Sequence, residues 1–380
     1  KLAPKSRWKI VGFLGVGSAF VILSFYGVVG GWILKYVLIS INGGFEALDS
    51  NPEAAASLFT NFIQSTWSPV FFQIFFMALC ILVIINGVKQ GIESWSKVMM
   101  PIIIILLFAL AVKGLMMPGG VEGLKFLFFP RFSDLTASSI VLALGHSFFT
   151  LSLGMGTMIT YGSYLNKNQN LIKSALWVIF LDTFIALLAG VAIFSTVFAL
   201  KADPAGGPGL IFFVLPSIFP QLAYGTIWST LFFSLLFMAA LTSAISILEV
   251  VTAYMIDQKG WSRKKATLVF GSLITIVGVF CSLSMGGGIN LTSFMDKTFF
   301  DFMDELSSKY MLPVGGFLTA IFVLKEWSVK SFISELGHKI IGPKEDLLMF
   351  KIFFLISAFL IGFILFNEII LEITGKAIVG

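Results

Sequence analysis

Stretches of apolar residues about as long as a bilayer-crossing helix, roughly 20 residues, dominate this chain. They run Ile10–Leu38, Val70–Val88, Val98–Met117, Ala137–Leu165, Leu171–Leu200, Thr226–Met255, Ala266–Met285, Leu291–Leu324 and Leu347–Leu371. So much apolar surface has no place to hide in a water-soluble fold. Only 12% of the 380 residues are charged and 57% are hydrophobic, against about 25% charged in an average soluble domain. The expected fold class is therefore an all-α polytopic membrane protein of about nine transmembrane helices. Several runs exceed the minimum length, which predicts tilt, kinks or interruptions. Gly286-Gly287-Gly288 marks a loop, and Pro313-Val314-Gly315-Gly316 a bend within its span.

Charge sets the orientation, because cytoplasmic loops of membrane proteins collect Lys and Arg. Placing the N-terminus inside gathers Lys1, Lys5, Arg7, Lys9, Lys89, Lys97, Lys259, Arg263, Lys264, Lys265, Lys325 and Lys330 on one side. Fewer basic residues, among them Lys113, Arg131, Lys201 and Lys297, fall on the other. The C-terminus is then outside, and the protein is expected in a bacterial cytoplasmic membrane. The net charge of +5 is spread over the loops and gives no nucleic-acid signal. No secretory leader precedes the first span and the chain starts at Lys1, so the natural N-terminus is expected upstream. Cys80 and Cys281 lie inside apolar runs and read as small core hydrophobes. The loop from Lys201 to Tyr224 mixes Pro204, Pro208, Pro216 and Pro220 with Phe212, Phe213 and Phe219, and is expected to fold back as an outer lid.

One run is poorly made for a continuous helix. Phe149-Thr150-Leu151-Ser152-Leu153-Gly154-Met155-Gly156 puts two hydroxyls and two glycines in mid-span. Irregular backbone at that depth is tolerated only where protein or a watery cavity covers it. A span interrupted this way is the best sequence pointer to a transporter's binding site. Ionisable residues at such depth cost at least about 2.5–3.5 kcal/mol and are functional candidates by default. Asp182, Glu249 and His146 qualify. Glu249 also fits a buried structural carboxyl, and His146 a hydrogen-bonded interior group as well as a proton carrier. A second polar cluster, Ala239-Ala240-Leu241-Thr242-Ser243-Ala244, taken alone fits helix packing. With the break and Asp182 it supplies hard oxygen ligands, suited to a hard cation such as Na⁺. No nucleophile–base pair, phosphate loop or dinucleotide fingerprint stands out, so an enzyme is not expected.

Gly145-His146-Ser147-Phe148-Phe149-Thr150-Leu151-Ser152-Leu153-Gly154-Met155-Gly156, continuing through Ile159-Thr160-Tyr161-Gly162-Ser163-Tyr164, closely resembles the sixth helix of the neurotransmitter:sodium symporters, which share the leucine-transporter inverted-repeat fold. Leu23-Ser24-Phe25-Tyr26 with Trp32 resembles the third helix, and Gly91-Ile92-Glu93 the loop joining helices four and five. Asp182 to Gly190 is similar to helix seven, Leu241-Thr242-Ser243 to helix eight, and Phe300-Asp301 with Asp304 to the outer end of helix ten. The resemblance spans the chain but starts in the loop before the family's third helix. It implies a single transporter domain over residues 1–380: the rest of a first repeat at 10–117, a second repeat at 137–324 and an extra helix at 347–371.

The resemblance also implies roles. Thr150 and Asp182 would belong to a first Na⁺ site. Ala239, through its carbonyl, with Thr242 and Ser243 would form a second, and both sites would be completed by the family's first helix. Tyr26 would hold the substrate carboxylate, with Phe149 as the lid above it. Ile22, Ser152, Met155, Met158, Ala244 and Ile247 would line the side-chain pocket. Asp304 would be half of an outer gate, and Tyr164 and Asp257 part of an inner one. Asp182 stands where chloride-dependent animal members carry asparagine, so its charge would replace chloride; with His146 it could also exchange a proton. Met155, a flexible thioether, stands where the leucine-selective relative has phenylalanine and points to a hydrophobic or aromatic amino acid. The implied function is Na⁺-coupled amino-acid import with no organic cofactor and no nucleic-acid partner. The alternatives are a symporter of a small amine or compatible solute, and a fragment or split subunit needing the two helices before it.

Overall fold

The computed structural model describes residues 6–48, 51–87, 94–129, 131–165, 169–199, 201, 204, 210–286, 297–336 and 343–374. The Gly91-Ile92-Glu93 loop, Gly287, Gly288 and the first residues of the run beginning at Leu291 lie outside them. The regular segments described are helices. Seven are long and apolar enough to cross a membrane, and eight if one sharply bent pair counts as a span. In chain order the helices begin with α1 (Lys9–Ile41), a short α2 (Pro52–Gln64) and α3 (Trp67–Ile85). The bent pair is α4 (Ser94–Met116) and α5 (Gly120–Phe128), which turns by 114°. The expected run Ala137–Leu165 becomes two short helices, α6 (Ala137–Thr150) and α7 (Thr157–Tyr164), parted by irregular backbone. Then follow α8 (Leu171–Ala199), a short α9 (Leu215–Ile218), α10 (Gly225–Lys259) and α11 (Arg263–Ser284). The last expected spans are α12 (Phe299–Glu305) running through a π-helical turn into α13 (Leu312–Phe322), then α14 (Val329–Leu336) and α15 (Pro343–Thr374).

Local chemistry explains several boundaries. Thr136 caps α6 in a reciprocal box with Ser139, Ser262 caps α11 through the Lys265 amide, and Thr298 caps α12 through the Asp301 amide. Gly260, at φ +64°, closes α10 in the left-handed conformation that glycine adopts without steric cost.

The core is built around α1, which packs on α10, α3 and α11. Gly31 lets the α3 backbone approach so closely that a Cβ there would stand 2.6 Å from the Gln73 amide nitrogen. Small residues of this kind bring membrane helices together without a hydrophobic driving force. Cys80 and Cys281 are buried free thiols, as expected of core hydrophobes. Large side chains such as Trp67, Phe71 and Phe359 point outward, which suits a lipid environment.

The loop after α8 does fold back. Phe212, Leu215, Ile218 and Phe219 are buried, the Tyr36 hydroxyl donates to the Phe212 carbonyl at 3.2 Å, and the Phe212 ring stacks on Phe59 at 4.9 Å. Its residues 202–203 and 205–209 lie outside the description.

Candidate functional site

The interruption between α6 and α7 is the centre of the site. Three of its residues turn left-handed: Ser152 at φ 54°, Gly154 at φ 79° and Gly156 at φ 80°. A right-handed helix cannot pass through such a sequence. The backbone hydrogen bonds across the break end on the carbonyls of Ser147, Phe148 and Phe149. Among the described residues the carbonyls of Thr150, Leu151 and Ser152 accept none of them, which leaves oxygens for another donor or a cation.

The expected pocket residues are divided by the fold. Ile22, Met155, Ala244 and Ile247 all belong to the large buried core, on which Tyr26 and Phe149 pack, and α1, the break and α10 touch where Gly15, Gly156 and Val250 meet. Ser152 and Met158 instead line a largely apolar cavity of about 550 Å³. That cavity opens between the start of α1, the break, the end of α10, α13 and α15, and Asp257 also faces it.

The expected cation ligands are only partly gathered. The Thr242 hydroxyl donates to the Ala239 carbonyl at 2.9 Å, so two expected second-site oxygens lie side by side, with Ser243 exposed beside them. Thr150 is exposed, its hydroxyl donating to the Ser147 carbonyl at 3.3 Å. Asp182 is half-buried on α8. That helix packs mainly on α4 and α5. His146 is exposed on α6.

Around α12, Glu305 pairs with both Lys297 and Lys309. Asp304 forms no ion pair among the described residues, and its backbone carbonyl accepts the hydroxyls of Ser307 and Ser308.

At the far end of α7, the Tyr164 hydroxyl donates to Glu249 at 2.6 Å. Glu249 is fully buried and takes two bonds from the Arg263 guanidinium, at 2.6 and 2.9 Å. One turn back, the Tyr161 hydroxyl bonds Ser246 at 2.5 Å. The α7 half-helix is thus tied to α10 by two rungs. Of the two sequence readings of Glu249, the hydrogen-bonded buried carboxyl is what the fold shows. Sequence reasoning passed over Arg263, Tyr161 and Ser246. The signal was present: the three-residue spacing of Tyr161 and Tyr164 matches that of Ser246 and Glu249, as two facing helices require.

Comparison with known proteins identifies the family. The sequence profile of the sodium:neurotransmitter symporter family matches residues 60–376. The sodium-dependent transporter YhdH of Bacillus subtilis is 41% identical over 338 residues, 89% of this chain and 74% of the relative. A sodium-dependent transporter of Haemophilus influenzae is 35% identical over 323 residues, 83% of this chain and 70% of the relative. The crystal structure of MhsT in complex with L-phenylalanine is similar with a TM-score of 0.87 and 40% identity, covering 96% of this chain and 83% of that one.

Proposed function

Because the chain belongs to the sodium:neurotransmitter symporter family, a family of sodium-dependent membrane transporters and not of enzymes, we propose that it imports a hydrophobic or aromatic amino acid with Na⁺ as the co-transported ion. The observation that carries this reading is the break at residues 151–156, with carbonyls that take no backbone hydrogen bond among the described residues, beside the buried core to which Ile22, Met155, Ala244 and Ile247 belong. An apolar wall next to free backbone oxygens fits a zwitterion with an apolar side chain. The likeness to MhsT, which was solved with L-phenylalanine, supports an amino acid of that kind.

In this reading the carbonyls around Thr150 and the start of α7 hold the charged end of the substrate. Unwound carbonyls suit cations, and a half-helix N-terminus suits a carboxylate. Tyr26 orients the carboxylate and Phe149 closes above it. Ala239, Thr242 and Ser243 supply oxygens to one Na⁺ site, Thr150 and Asp182 to another, and each site takes further oxygens from beyond these residues. The fixed negative charge of Asp182 makes transport independent of chloride. Ion binding organises the broken segments, so a Na⁺ gradient drives the amino acid uphill. The N-terminal end of α1 faces the cytoplasm of a bacterial cell, residues 10–117 belong to a first repeat and residues 137–324 form a second. The test is equilibrium binding of labelled L-phenylalanine to the purified full-length protein. Binding in NaCl and none in KCl supports the reading; equal binding in both sinks it.

A further inference from the structure

The tip of the break is clamped by a different helix, through backbone on both sides. A Cβ at Gly154 would stand 2.2 Å from the Leu312 carbonyl oxygen. A Cβ at Gly315, one turn further along α13, would stand 2.6 Å from the Gly154 carbonyl oxygen. Leu312 is fully buried, and neither carbonyl can swing away as a side chain would. Gly316 adds to the seam, with Phe148 packed where a side chain would begin. The break and α13 therefore meet as two rigid surfaces.

α13 is also isolated from the rest of its span. Leu306–Met311 before it and Val323–Trp327 after it are π-helical. Pro313 cannot donate to the carbonyl four residues back, so the preceding turn has reason to widen. π-Helical turns are irregularities that concentrate at functional sites. Asp304 lies just beyond the first of them, without an ion pair among the described residues although its neighbour Glu305 holds two lysines.

We propose that the Gly154–Gly315 seam makes α13 follow the broken span, so that occupation of the break is relayed through the π-helical turn 306–311 to the outer end carrying Asp304. Gly315 is then a positioning residue: it touches neither ion nor substrate, and acts by holding Gly154. The inference rests on the reading that the break is where ligand binds, and the test separates the two.

Spin labels at Asn61→Cys on α2 and Lys309→Cys on the π-helical turn report the outer end. Labels at Ile159→Cys on α7 and Lys325→Cys beyond α13 report the seam. All four positions are exposed. Distances are measured in the full-length protein with and without NaCl plus L-phenylalanine. The expected result is a ligand-induced change across 61–309 and a constant distance across 159–325. Gly315→Ala, which forces a methyl against backbone, should weaken L-phenylalanine binding about tenfold and remove the 61–309 change even at saturation. Gly362→Ala, whose methyl meets only the Phe317 ring at 3.3 Å, should leave both intact.

No Na⁺-dependent binding by the unsubstituted protein overturns the binding-site reading, and the relay with it. Binding with an unaltered 61–309 change in Gly315→Ala overturns the relay alone. A 159–325 distance that shifts as far as 61–309 does so too, and needs no seam variant to fold.

Discussion

Glu249→Gln tests what holds the α7 half-helix in place. The carboxylate is fully buried and receives three donors: two from Arg263, at 2.6 and 2.9 Å, and one from Tyr164 at 2.6 Å. Glutamine keeps the volume and one acceptor oxygen, but it loses the charge and offers an amide where the guanidinium needs an acceptor. Removing one partner of a buried ion pair costs about 3–5 kcal/mol. Arg263 retains 27% of its side-chain exposure, so solvent recovers part of its charge and a figure of about 2 kcal/mol is reasonable. That corresponds to roughly a thirtyfold shift toward states in which α7 leaves α10. The reporter is Thr157→Cys, at the start of α7, where the native side chain is 2% exposed. Cys80 and Cys281 are buried and stay silent. The expected outcome is thiol labelling about thirtyfold faster in Glu249→Gln, with much of the effect lost when Arg263→Gln is added, because the unpaired charge is then gone. Unchanged labelling in a folded Glu249→Gln protein, or strict additivity of the two substitutions, would refute the latch.

Three further outcomes follow from the same geometry. Asp182→Asn should convert chloride-independent uptake into chloride-dependent uptake, read by replacing chloride with gluconate; uptake that ignores chloride in this variant contradicts the role given to its charge. Met155→Ala opens a cavity at a side chain only 2% exposed and should cost about 2–5 kcal/mol of stability, seen as a lower melting temperature, while bulky aromatic substrates compete better against leucine. Ser152→Gly relieves a non-glycine residue at φ 54° and should raise thermal stability by about 1 kcal/mol, with no gain if the left-handed turn is absent in solution.

The sequence carried the fold legibly because bilayer-length apolar runs leave few choices. The expected run Val98–Met117 became α4, with a sharp bend into α5 that hydropathy cannot express. The break was legible too, since Gly154 and Gly156 adopt the left-handed turns that a glycine pair in mid-span suggests. Less visible was what each polar group meets. Tyr164 and Asp257 were expected to belong to an inner gate; the Tyr164 hydroxyl reaches Glu249, and Arg263 had counted only as a cytoplasmic charge. Such pairings join residues far apart in the chain and depend on how helices rotate against each other. The seam at Gly315 was hidden for a related reason. A glycine in a membrane helix has many explanations, and only the carbonyl facing it shows which one applies.

The central claim, Na⁺-coupled entry of an apolar amino acid, is tested most directly in liposomes holding the purified full-length protein. Uptake of radiolabelled L-phenylalanine is followed with an inward Na⁺ gradient and with K⁺ in its place. The account predicts accumulation above the external concentration with Na⁺, and collapse when the gradient is dissipated by an ionophore. Uptake that proceeds equally in K⁺, or that never exceeds equilibration, would contradict it.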